Sequence, residues 1–376
     1  MNFVFFCHSL ASCWNHGNAH FLRGVVRALQ ARGHAVTVYE PHDAWSLANL
    51  VKDEGPAAAE AWKAHYPTLA STRYRPGEPD LHVALAEADV VLVHEWNAPQ
   101  LVQAVGEVRK SRGGFTLLFH DTHPRAVTRP KEMNAYDLSG YDAALVFGEV
   151  LRRIYLRRRY TPRAYTWHEA ADVEHFSPRP DIRPEHDLVW VGNWGDDERT
   201  EELHAFLLAP CAELKLDATV HGVRYPPAAR AALKAAGVRY GGWLPNHAVP
   251  EVFARHKVTV HVPRRPYREQ LHGIPTIRPF EAMACGIPLV CSPWSDAEAL
   301  FTPGRDYLVA PDGEAMTKLL RRLLEDEEAR TRLAVHGRET ILRRHTCGHR
   351  ADELLNICDH VKEPPAALGV PTTIAI

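Results

Sequence analysis

The sequence predicts an α/β protein built from two doubly wound, Rossmann-like domains that face one another across a central cleft. Three observations predict it. The chain has 376 residues, beyond the roughly 250 to 300 at which a single hydrophobic core stops growing. Short runs rich in Val and aromatic residues alternate with longer segments of helical period, the pattern of βαβ units on a parallel sheet. That alternation is broken at a polar, Pro-rich stretch, Phe176 to Asp187, and then begins again.

In chain order, Asn2 to Cys7 reads as the first strand. His20 to Gln30 then places Phe21, Leu22, Val25, Val26 and Leu29 on one helical face, and Gly33 stops it. Ala35 to Glu40 is the second strand. Tyr66 to Asp80, with Pro67, Pro76 and Pro79, reads as a long loop. Strands follow at Asp89 to His94, Phe115 to His120, Ala143 to Phe147 and Ala164 to His168, with helical segments such as Gln100 to Arg112 between most of them. After the linker, strands are expected at Leu188 to Val191, Ala218 to His221, Val238 to Tyr240, Val258 to Val262, Ile287 to Cys291 and Tyr307 to Ala310. Helices close the chain between Asp312 and Val361. The domains are therefore expected at 1–172 and 173–345, with a C-terminal helix over 346–362 that packs back on the first domain and a loose tail at 363–376.

Composition narrows the function. Lys and Arg number 44 against 46 Asp and Glu, a net charge of −2, so there is no global basic excess of the kind that nucleic-acid binding needs. No apolar run approaches the ~18 residues of a membrane span, and Met1 to Phe6 lacks a basic leader region. The seven cysteines show no CxxC pair and sit mostly in apolar runs, as reduced core thiols do. The expectation is a soluble, cytoplasmic chain with no integral membrane association. Arg152, Arg153, Arg157, Arg158 and Arg159 form a basic run that completes a helix C-terminus or meets an anionic lipid or polymer surface peripherally. The 23 histidines are scattered without metal-ligand spacing.

Ligands of doubly wound sheets gather at the carboxyl ends of the strands. There the first half offers the loop His8 to His20, with His16, Gly17 and Asn18, then His94-Glu95, His120-Asp121 and Gly148-Glu149. The second half offers Gly192-Asn193, His221-Gly222 and Arg264-Arg265. Gly192-Asn193-Trp194-Gly195 runs from a strand into a helix expected near Glu198, a place where amides can receive phosphate. Arg199, one turn in, pairs with a diphosphate or is a solvated helix arginine. In His272-Gly-Ile-Pro-Thr-Ile-Arg278-Pro-Phe-Glu281, Pro279 fits the first helical position, Gly286 the stop, and Glu281 the first turn. A carboxylate there caps the helix or chelates the hydroxyl pair of a ribose.

The phrase Arg278-Pro-Phe-Glu281-Ala-Met-Ala-Cys-Gly-Ile-Pro-Leu-Val resembles the donor half of a GT-B glycosyltransferase. It is similar to the retaining family-4 enzymes and to CgeB-like (spore-maturation type) relatives. Arg32-Gly-His34-Ala-Val-Thr-Val, Ala171-Asp-Val-Glu-His-Phe-Ser-Pro178, Gly241-Gly-Trp-Leu-Pro-Asn-His247 and Phe301-Thr-Pro-Gly-Arg-Asp-Tyr307 support it in the same order along the chain. The resemblance implies metal-independent transfer of a sugar from a nucleoside-diphosphate sugar, the donor substrate, with no cofactor. It implies that Glu281 binds the ribose, Arg199 the diphosphate and His120 the transferred sugar, while Gly17-Asn18 approaches the phosphates from the other domain. Asn193 replaces an arginine usual in the family, so Arg264 or Arg278 serves the phosphates instead. Gly273 stands where family-4 enzymes carry the first of two glutamates, with seven residues between it and the second, Glu281.

With retention, the leaving diphosphate accepts the acceptor's proton on the same face, and no protein nucleophile is required. With inversion, His16 or His20 is the candidate base. Trp14, His94, Glu95 and Trp96 are expected to form the acceptor pocket, whose aromatic and polar lining suits a sugar, a small aglycone or a polymer end. Two rivals stand beside this reading: a nucleotide-sugar epimerase of the same fold, and a non-catalytic nucleotide-sugar-binding or assembly protein.

Overall fold

The computed structural model describes residues 1–75 and 77–363, so the tail expected at 363–376 lies, after Glu363, outside the described residues. Both sheets are entirely parallel. The first contains β1 (Asn2–Phe6), β2 (Ala35–Pro41), β3 (Thr72–Tyr74), β4 (Val90–His94), β5 (Thr116–Asp121), β6 (Ala143–Val146) and β7 (Ala164–Thr166), in the order β3-β2-β1-β4-β5-β6-β7. The second contains β8 (His186–Val191), β9 (Ala218–His221), β10 (Arg239–Tyr240), β11 (His256–His261), β12 (Leu289–Cys291) and β13 (Leu308–Val309), in the order β10-β9-β8-β11-β12-β13. The doubly wound α/β class is as predicted. In each sheet the chain order reverses direction beside the first strand, which opens a crevice at the carboxyl ends.

The central strands β4, β5 and β6 are buried along their whole length, which is why they read as unbroken apolar runs rather than alternations. One strand is absent from the prediction. Thr72–Tyr74 lies inside the predicted loop and pairs with Tyr39–Pro41; three residues carry no period of their own, and the strand exists because β2 offers it an edge. Pro288 shortens β12 from the predicted start at Ile287, since it cannot donate to the ladder.

The halves interlock. The C-terminal helix Cys347–Lys362 packs against the helix Ala19–Ala31: Cys347, Ala351, Leu354 and Ile357 share a core with Phe21, Val25 and Leu29. Trp167 donates its indole N–H to the Arg350 carbonyl at 2.9 Å. The approach needs Gly24, because a Cβ there would stand 2.5 Å from the Cys347 Sγ. In the other direction, Tyr267, Leu271 and Ile274 of the second half enter the first half's opposite core layer. All seven cysteines are free thiols. Among the described residues no helix is long and apolar enough to cross a membrane.

Candidate active site between the two sheets

The loop after β1 is fastened from below. Glu40, at the end of β2 and fully buried, accepts hydrogen bonds from Ser9 Oγ and the Leu10 amide, both at 2.8 Å, and from Ser71 Oγ at 2.5 Å. Arg23 donates to the Leu10 carbonyl at 2.8 Å and lies over the rings of Trp62 and Tyr66, each 5.2 Å away. These bonds give the loop one conformation in which to hold His8, His16, Gly17 and Asn18.

At the carboxyl ends of β1, β4 and β5 this loop completes a row of imidazoles. Ring centroids are 5.1 Å apart for His8 and His16, 6.2 Å for His16 and His94, and 5.1 Å for His94 and His120. Burial holds all four neutral: His8 and His94 are pushed down to about 3, and His16 and His120 well below the usual imidazole range. Burial acts oppositely on the carboxyls below the row. Glu95 is pushed up to about 8, against the pull of Arg125, and Asp121 to about 7. Glu95 Oε1 accepts from Thr122 at 3.3 Å, and Asp121 accepts from the Tyr155 hydroxyl at 2.5 Å. His94 Nε2 and Glu95 Oε2 lie 2.9 Å apart, but off the hydrogen-bond direction. Among the described residues, His16 Nε2, His94 Nδ1, both ring nitrogens of His120 and Glu95 Oε2 are buried without a hydrogen-bond partner. Groups of this kind are costly to leave unfilled, and a set of them in one place marks a ligand or water site. Trp96, 37 % exposed, stands at its outer edge 5.4 Å from His8, with Arg125 5.3 Å over its ring.

Trp14 does not join this group. Its indole donates to Asp53 at 3.0 Å and it packs edge-on against Trp45 and beside Leu50 and Val223, because the loop turns it toward the helix Trp45–Glu54. Of the four residues expected to line an acceptor pocket, His94, Glu95 and Trp96 lie together beside His8, and Trp14 lies apart from them.

On the second sheet, Gly192 follows β8 and Asn193 turns its side chain to the Val223 amide at 2.8 Å and, across the cleft, to Asn15. The following helix begins at Thr200 rather than near Glu198. Arg199, just before it, folds back: it donates to the carbonyls of Val262 at 2.7 Å and Asn193 at 2.5 Å and lies 5.1 Å over the Trp190 ring. Burial and the neighbouring Arg264 push it down to about 10, so it remains a cation at neutral pH. Its fork ties the ends of β8 and β11 together, while its Nε is buried without a hydrogen-bond partner. Arg264 is paired with Glu198 at 3.2 Å, a partly exposed and exchangeable contact.

The helix Ile277–Cys285 starts two residues earlier than the sequence suggests. Thr276 reaches φ +61°, ψ 179°, a costly region for a β-branched residue, and delivers Ile277 against Gly17, where a Cβ would stand 3.0 Å from the Ile277 Cγ2. Pro279 is tolerated at the third position because amides of the first turn have no intrahelical acceptor. Glu281 thus sits in the second turn. It is fully buried, within 2.9 Å of His20 Nδ1 from the first half and ion-paired with Arg278. A ribose could reach it only by displacing those partners.

Two acidic residues of the cleft escape the sequence reading. Glu169 follows β7 and is pushed up to about 8 by burial and by Glu281; searching directly after each strand could have found it. Glu298 follows no strand and leaves no such signal. His221 stays apart, its ring lying against Gly241. Among the described residues no group of three His, Cys, Asp or Glu side chains is placed to hold a metal ion.

Residues 199–356 match the family model described as glycosyl transferase-like. No curated protein matches the chain. Among solved structures, the chain is similar to a sucrose-phosphate synthase from Thermosynechococcus elongatus, at TM-score 0.65 and 15% identity over 96% of this chain and 99% of that one. It is similar to HepE of Anabaena in complex with UDP and glucose, at TM-score 0.65 and 12% identity over 96% and 100%. A glycosyltransferase from Rickettsia africae superimposes at TM-score 0.62 and 10% identity over 96% and 98%. The fold is thus the GT-B fold of glycosyltransferases, and the match to the glycosyl transferase-like model falls in the second half of the chain.

Proposed function

We propose that this chain is a metal-independent glycosyltransferase that moves a sugar from a nucleoside-diphosphate sugar to an acceptor with retention of configuration, as its resemblance to family-4 and CgeB-like enzymes implies. The observation that supports it most is the seam where Asn15 to His20 of one half meets Asn193, Ile277 and Glu281 of the half that matches the glycosyl transferase-like family. The similar protein HepE holds UDP and glucose.

In this reading the halves part, His20 and Arg278 release Glu281, and the carboxylate takes the ribose hydroxyl pair. Arg278 and Arg264 then exchange their glutamates for the diphosphate, with Gly17, Asn18, Gly192 and Asn193 at its edges. Arg199 holds the strand ends against which it lies. The donor sugar faces His120, and an acceptor hydroxyl enters past Trp96, His94 and Glu95. The departing diphosphate takes the acceptor proton on the face it leaves, while the arginines stabilise its growing charge. His16, buried and neutral, supplies a hydrogen bond rather than a base in this retaining course.

The test is incubation of the protein with UDP-, GDP-, TDP- and ADP-glucose in a metal chelator, without acceptor. One should release its nucleoside diphosphate slowly, and Glu281→Gln should abolish the release. No release from any nucleotide sugar would return the chain to a binding role.

A further inference from the structure

Glu298 is a carboxylate of the second half whose partners belong to the first. Its Oε2 lies 2.8 Å from His168 Nε2, two residues beyond β7, and its Oε1 accepts the Glu149 amide at 2.9 Å, at the start of the helix Glu149–Arg158 that follows β6. That helix start favours an anion. From its own half Glu298 leans over Gly273, where a Cβ would stand 2.7 Å from Oε1 and 2.8 Å from Cγ. Gly273 is held at φ +93° with its amide on the Ser295 carbonyl at 2.8 Å. The glycine therefore does two things: it makes a turn that other residues resist, and it leaves free the space into which the Glu298 side chain reaches.

This places one carboxylate between the carboxyl ends of β6 and β7 and the loop that leads into the helix carrying Glu281. Its exposure distinguishes it. The side chain keeps 13% of its surface open, whereas Glu281 keeps none. An oriented carboxylate with open lone pairs repels phosphate and accepts hydroxyl groups, two at a time when they are vicinal. We propose, resting on the transferase reading above, that Glu298 binds hydroxyls of the donor's transferred sugar, with His168 and the Glu149 amide fixing its orientation.

The experiment is isothermal titration of the full chain with UDP and UDP-glucose, and with GDP, TDP and ADP and their glucose conjugates, on wild type, Glu298→Gln and Glu298→Asp. Glu298→Gln keeps the shape and an acceptor for the Glu149 amide. It should weaken the nucleotide sugar about 10- to 100-fold, the range for hydrogen bonds to a charged acceptor, and leave the bare diphosphate unchanged; Glu298→Asp should recover part of the loss. Equal weakening of sugar conjugate and diphosphate would make Glu298 a clasp between the halves only, and overturn the proposal. So would unchanged binding of both, or a wild type in which the sugar adds no affinity. If wild type binds no nucleotide, the transferase reading itself fails and this inference falls with it.

Discussion

Gly148→Ala tests the closed seam where it is tightest. A Cβ at this position would stand 2.4 and 2.6 Å from Ile274 Cγ1 and Cδ1, against about 3.5 to 4.0 Å for an ordinary carbon contact, so the surfaces must retreat by about 1 Å. Backbone strain does not contribute, since Gly148 is extended at φ −173°, ψ 150°, open to any residue. Ile274 is 1% exposed and buried in the first half's core layer. If the side chains absorb the clash, overpacking costs about 1 to 3 kcal/mol. If the halves separate instead, Ile274 loses burial worth about 1.5 to 3 kcal/mol, so the ranges of the two routes overlap. Ile274→Ala alone should cost about 2 to 5 kcal/mol but removes the atoms that the added methyl group strikes. Urea unfolding of both single variants and the double variant should therefore give a coupling energy of about 1 to 3 kcal/mol in the relieving direction. A neutral Gly148→Ala, or strict additivity, would refute the seam as described.

The buried carboxyl under the histidine row should appear in the pH dependence of stability. Glu95 is pushed from 4.5 up to about 8, so the native chain holds a proton that the unfolded chain releases between those values. The contribution is full below about pH 4.5 and is lost as pH rises toward 8, at up to ~1.4 kcal/mol per pH unit. Glu95→Gln should remove that slope, gaining on wild type between pH 5 and 8 in urea midpoints; parallel curves would contradict the burial. Gly24→Ala should lower stability by roughly 1 to 3 kcal/mol through the Cys347 and Asp172 contacts, less up to ~1 kcal/mol of helix propensity regained. A higher melting temperature would mean that the C-terminal helix does not bear on Gly24.

What the sequence makes legible follows the range of the interactions. Strands such as Val90–His94 and Thr116–Asp121 are visible because burial on both faces writes an apolar run, and the rule of strand ends then finds His94, Glu95 and His120 together. Thr72–Tyr74 is invisible because its only cause is a neighbouring edge. The same holds in the site. Local pattern places Arg199 beside β8, but its attachment to the Val262 carbonyl joins residues 63 positions apart, which no local pattern records. Trp14 belongs to the acceptor pocket by its neighbourhood in the loop, and the loop's turn toward Asp53 sends it elsewhere. Glu298 acquires its meaning only from Gly273 beneath it and His168 opposite.

The most direct measurement is proton NMR of the sugar first released when the protein, with a chelator present, hydrolyses an α-linked nucleotide sugar. The account predicts free nucleoside diphosphate and the α anomer, ahead of mutarotation. Release of the β anomer or of an epimerised sugar, dependence on a metal ion, or no release at all would contradict it.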